Sequence, residues 1–221
     1  MASDVNVREH AWNHFCQSYW YPVYAFIRRK GENAEDARDL TQAFFAKLIS
    51  QDWLSGIEKR ETRFSTLLIT ILKNFLINQH ALATAEKRGG GAIPLPLNTA
   101  EAEHWFGNEP ASLATPESLF ERRWALAVLD AATRRLREEY ETIGKAKLHA
   151  QIAVYLSREP GPGDYERAAS VLGILPRSVA VAVHRLRADF RAMVREEVAT
   201  GLRDKKLVDE EMRALAAALG M

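Results

Sequence analysis

The chain has 221 residues, with 30 Lys plus Arg against 29 Asp plus Glu, a formal net charge of +1, and 47% hydrophobic residues. That apolar content excludes a disordered tail. A single cysteine, Cys16, excludes a disulfide framework and a Cys-based zinc finger, and no stretch approaches the roughly 20 apolar residues that span a bilayer. The opening MASDVNVREH lacks the basic-then-apolar layout of a signal peptide, so a cytoplasmic protein with no membrane partner is expected. The balanced charge argues against a binder that grips nucleic acid anywhere.

Helical periodicity dominates the pattern. Trp12, Phe15 and Tyr19 recur at three- and four-residue steps until Pro22, which is expected to interrupt the helix. Asn33 is the expected N-cap of a second helix, with Glu35 and Asp36 in its first turn and Ala37, Leu40, Phe44 and Leu48 on its apolar face. Phe64, Leu68, Ile71, Phe75 and Leu82 line a third. Gly89 to Gly91, followed by Pro94 and Pro96, end it and close a first domain over residues 5–91. Residues 92–116 are aperiodic and acidic and read as a linker; residues 92–120 hold no basic side chain and four acidic ones, Glu101, Glu103, Glu109 and Glu117.

Periodicity resumes at Leu119. Leu126, Leu129, Leu136, Tyr140 and Ile143 form one stripe that breaks near Gly144, and a short helix follows from about Lys145 to Leu156. PGPG at Pro160 to Gly163 marks a turn. No sustained period-two alternation occurs. The expected fold class is all-α, two small helical domains joined by an acidic linker, the second ending in a helix-turn-helix.

Residues 164–195 carry that motif. Asp164 is placed to cap a helix over Tyr165 to Leu172, Gly173 sits at the turn, and Pro176 suits the first position of a helix running to about Arg195. Ala169 lies four before the glycine, where crossing helices need a small side chain, and Val179 lies six after it, toward the core. Leu175 occupies the N-cap position, against the usual preference for a small polar residue. Val179, Val183, Leu186, Phe190 and Val194 share one face; Arg177, Ser178, Val181, His184, Arg185 and Arg187 share the other. Such a helix can present its first turns to base edges, with arginine pairing bidentately to guanine and lateral arginines holding phosphates. The second domain is expected over 117–198. The amphipathic tail, 199–221, with Leu207, Met212, Leu215 and Leu219 roughly on one face, is expected to pack on the second domain or to mask a DNA- or polymerase-binding surface.

Four blocks in this order resemble a bacterial RNA polymerase sigma factor of the extracytoplasmic-function group, in the sigma-70 superfamily. They are YWYPVYAFIRRKGENAEDARDLTQAFFAKLI, RFSTLLITILKNFLINQHALATAEKRGGG, ERRWALAVLDAATRRLREEY and YERAASVLGILPRSVAVAVHRLRADFR. EKRGGG and FERRWAL look like a subgroup of that family. The resemblance implies a protein that binds core RNA polymerase, through the β′ clamp helices and the β flap, and directs it to promoter DNA; an anti-sigma factor is a further candidate partner. It implies a monomer when free, no cofactor, no metal and no enzymatic activity of its own.

Residue by residue, Asp39, Gln42 and Phe45 match the motif that docks on the β′ clamp helices. Lys73, Asn74, Asn78 and Gln79, with Lys87 and Arg88, match the stretch that captures the melted non-template strand at the minus-ten element. Arg177, Ser178, Val181, His184, Arg185 and Arg187 fall on the helix that reads the minus-thirty-five element. Phe64 and Phe75 are expected in the core by their helical register. The acidic linker has two readings, a mimic of a nucleic-acid backbone or a solvated tether.

Three other classes compete. His10 and His14 stand four apart, a zinc-compatible spacing, but Cys16 sits poorly on their face and the neighbouring aromatics favour packing. No nucleophile elbow, phosphate loop or dinucleotide fingerprint occurs. A stand-alone helix-turn-helix regulator and a helical interaction protein remain as alternatives.

Overall fold

The computed structural model of the chain describes residues 2–50, 63–83, 98–109, 115–199 and 205–220. Regular structure among them is entirely helical. In chain order it comprises α1 (Ala2–Arg29), α2 (Ala34–Ser50), α3 (Phe64–Ala83), α4 (Thr99–Gly107), α5 (Pro116–Thr142), α6 (Ala146–Ile152), a 3-10 turn (Ala153–Leu156), α7 (Asp164–Leu172), α8 (Pro176–Ala199) and α9 (Lys205–Ala218). No single helix among the described residues is long and apolar enough to cross a membrane. The chain forms two compact units, one of residues 1–127 with 201–221 and one of residues 128–200.

In the first unit α1 is the central element. Contrary to the expected break, it continues past Pro22. A proline inside a helix costs about 3 kcal/mol, because it removes one backbone bond and crowds the preceding turn. Here Val23, Tyr24, Ala25, Phe26 and Ile27 are each at most 1% exposed. Burial of large side chains at roughly 1.5–3 kcal/mol each outweighs the proline. Asn33 caps α2 as expected: its side-chain oxygen accepts the Asp36 amide at 2.9 Å. α2 packs on α1 and α3.

Residues 99–107, read from sequence as part of an aperiodic linker, instead form α4. Asn98 caps it by accepting the Glu101 amide, Ala102 is fully buried, and Trp105 packs edge-on to Tyr21 and beside Trp20. α5 is started by Thr115, whose hydroxyl accepts the Ser118 amide at 3.1 Å, and by Pro116 at the first helical position, where its missing N–H costs nothing. Its first half belongs to this unit, with Phe120 against Tyr19 and Phe26.

The second unit holds the rest of α5, α6, the 3-10 turn, α7 and α8. Leu136, Ile152, Val179 and Leu186 are fully buried in it. Gly144 and Gly173 adopt φ of +72° and +67°, the left-handed region in which a side chain is strained, and they end α5 and α7 where the sequence places them. Asp164 does not cap from outside the helix. α7 begins on it, with Gly163 at the cap position. The Asp164 carboxylate turns back to accept the Gly161 amide at 2.8 Å and Arg158 at 2.6 Å, and also takes Arg167.

Candidate functional site

On α2, Asp39 is exposed and, among the described residues, pairs with its neighbour Arg38 at 3.1 Å, and Gln42 is half-exposed. Phe45 does not join them. It is fully buried, with its ring edge-on to Trp12, Phe15 and Phe44. The apolar face of α2 is wide enough to take two successive phenylalanines, so Phe45 is core and has no surface to offer a partner.

α3 buries Phe64, Leu67, Leu68, Ile69, Leu72, Phe75 and Leu76. The expectation that Phe64 and Phe75 are core holds. The opposite side exposes Thr70, Asn74, Ile77 and Asn78, with Gln79 half-exposed. Asn74 and Asn78 are one turn apart, so their amides share a face and can donate and accept together. Lys73 reaches across to Glu117 at 2.6 Å. Lys87 and Arg88 lie outside the described residues, as do the side chains of His10 and His14. Cys16 is buried, and burial pushes its thiol up to about 12.

The carboxylates of the acidic segment are engaged inside the first unit. Glu103 receives Arg28 at 2.7 and 2.9 Å and the Tyr24 hydroxyl at 2.6 Å. The hydrogen bond from Arg28 holds it below the usual carboxylate range. Glu109 takes Arg123 and the Tyr21 hydroxyl. Glu117 is likewise lowered, first by the hydrogen bond from Lys73. The segment therefore presents neither a free acidic strand nor a solvated tether over these residues.

In the second unit, α7 and α8 are joined by three residues, Gly173 to Leu175, and bend by 101°. α8 turns Val179, Val183 and Leu186 into the core and leaves Arg177, Ser178, Val181, His184 and Arg185 exposed. Arg187 departs from that set. Its guanidinium donates to the Tyr155 carbonyl at 2.9 Å, the Arg158 carbonyl at 3.1 Å and the Glu159 carboxylate. It braces the loop that leads into α7 rather than projecting outward. The spacing of Arg187 from Val183 alone could not reveal this, because the carbonyls it binds lie about 30 residues upstream.

The first turns of α8 flank a hollow of about 400 Å³ lined by Tyr140, Lys145, Leu148, Arg177, Ser178, Val181, Ala182 and Arg185. Three cations and no carboxylate line it. Sequence spacing does not mark Lys145 as part of this face; the one signal is its place directly after the Gly144 break, which turns α6 back toward α8. Among the described residues no cluster of His, Cys, Asp and Glu is arranged to hold a metal ion.

Comparison with known proteins finds no match for the chain among family models, curated proteins or solved structures.

Proposed function

We propose that the chain is a sigma factor of the extracytoplasmic-function type, which binds core RNA polymerase, selects a promoter and opens it. The observation that carries the reading is the α7–α8 pair. Two helices set at 101° across a three-residue turn fit the geometry of a helix-turn-helix, whose helices cross at roughly 90–120°. The second of them offers Arg177, Ser178, Val181, His184 and Arg185 to solvent. That is a face fitted to the major groove, where arginine reads guanine and an apolar side chain reads the thymine methyl.

The exposed Asn74 and Asn78 on α3 support the assignment of the first unit to the melted strand. Opening duplex without ATP requires that freed bases be bound, and side-chain amides can pair with their exposed edges. Asp39, exposed, and Gln42, half-exposed, on one side of α2 are the polymerase contacts; Phe45 supports their helix from within. A chain of net charge +1, in which cations such as Arg28 and Lys73 are paired internally, has little grip on duplex by itself, and the polymerase supplies the rest.

The test is reconstitution with core polymerase on genomic DNA, with transcript ends sequenced, beside a gel shift with and without core enzyme. Discrete transcript starts sharing two upstream elements are expected. Tight, specific duplex binding by the free chain, with no transcript from core enzyme, would assign it instead to stand-alone regulators.

A further inference from the structure

The start of α3 is chemically incomplete on its own. Arg63 stands at the cap position, where the Leu67 amide bonds its carbonyl at 3.0 Å, and it carries no side-chain acceptor. Worse, it places a cation against the positive end of the helix dipole. A helix start leaves several N–H groups without partners, and an Asn, Asp, Ser or Thr at the cap ordinarily accepts one of them.

The missing acceptor arrives from α9. Glu211, only 1% exposed, accepts the Ser65 amide at 3.1 Å and the Ser65 hydroxyl at 3.2 Å. Its Oε2 lies 3.7 Å from Arg63 Nε, so the same carboxylate offsets the misplaced cation. Glu211 sits between Val208 and Leu215 in the buried stripe of α9, where packing alone would favour an apolar side chain. Burying a carboxylate costs several kcal/mol unless hydrogen bonds and a counter-charge compensate, and here both are present. The carboxylate is placed to complete a helix start 146 residues away in sequence.

We propose that Glu211 is a positioning residue for α3, so that residues 205–218 belong functionally to the strand-binding unit although they follow the helix-turn-helix in sequence. The proposal rests on the reading of α3 as the strand-binding helix. Without the acceptor, the first turn of α3 frays. That turn carries Phe64, whose ring packs edge-on to Phe15 and Tyr19, and this contact fixes the helix that presents Asn74 and Asn78.

The experiment uses the full chain with core polymerase. Glu211→Met fills the stripe with an apolar side chain of similar length and removes the acceptor; Glu211→Gln removes the charge and keeps an acceptor oxygen. Hydrogen exchange at the Ser65 amide, promoter docking before opening, and thymine reactivity in the opened region are measured for each. Glu211→Met is expected to keep a cooperative melt, to speed Ser65 exchange, and to lower opening about fivefold, the equivalent of one helix cap, with docking unchanged. Glu211→Gln should restore most of the opening. Wild-type opening by Glu211→Met despite fast Ser65 exchange overturns the proposal, as does an unchanged Ser65 exchange rate. Parallel loss of docking and opening would show a structural role only and also overturns it. If Asn74→Ala opens promoters normally, the reading of α3 fails first, and the positioning role falls with it.

Discussion

Arg158 and the Gly161 amide hold the Asp164 carboxyl down at about 2, while burial, and then the Arg137 charge, hold the His149 imidazole below its usual value. Each shift sets a pH limit on the unit of residues 128–200. For Asp164 the unfolded chain, titrating near roughly 3.9, takes up the proton first, so its contribution is full above that value and is lost as pH falls toward about 2. For His149 the unfolded imidazole protonates near roughly 6.5 while the folded one stays neutral. Stability is therefore lost as pH falls below about 6.5. Thermal melts from pH 8 to 5 should show a declining midpoint that His149→Gln flattens; a slope unchanged by that substitution would refute the assignment. Phe45 and Asp39 separate core from surface in the same way. Phe45→Ala should cost about 3–5 kcal/mol in denaturant unfolding. Asp39→Ala should stay within about 0.5 kcal/mol of wild type, yet weaken binding to core polymerase.

At the scale of elements, the turn between α7 and α8 makes the cleanest test. A Cβ added at Gly173 would meet no atom within 4 Å, so Gly173→Ala carries the cost of its backbone conformation alone. Holding alanine at φ +67° should cost about 1–2 kcal/mol, measured as a fall in the unfolding midpoint, with Gly173→Asn milder. Position-by-position rules made this turn legible in the sequence, as they did the Asn33 cap and most of the core faces of α2, α3 and α8, where Leu40, Ile71 and Phe190 are only half-buried. What stayed hidden depends on partners distant along the chain. Pro22 reads as a break until the buried run after it is seen to hold α1 together. α4 is only nine residues long and sits among acids and prolines, so its periodicity is too short to count against its composition. Its anchors, Arg28 and Tyr24, are more than 70 residues upstream. Phe45 and Arg187 share the spacing of outward-facing neighbours, and only tertiary contacts turn them inward.

For the molecule as a whole, the near-zero net charge resolves into local pairs: Arg28 with Glu103, Lys73 with Glu117, Arg123 with Glu109. Breaking one should change how salt affects nucleic-acid binding. Freeing Lys73 through Glu117→Gln adds about one phosphate contact on a single strand, so the slope of log K against log salt should steepen by about 0.7. An unchanged slope, with Lys73→Ala equally silent, would place Lys73 outside any strand path.

The discontinuous first unit also bears on the order of events during synthesis. Residues 128–200 are complete within one stretch of chain and can fold as soon as they emerge. The unit begun by residues 1–127 must wait for residues 201–221, translated only after the whole intervening unit. At about 5–20 residues per second that wait lasts several seconds, during which the Ser65 amide has no Glu211 to receive it. The nascent chain thus carries a finished unit of residues 128–200 beside an unfinished one, and translation itself sets the moment at which the first unit can close.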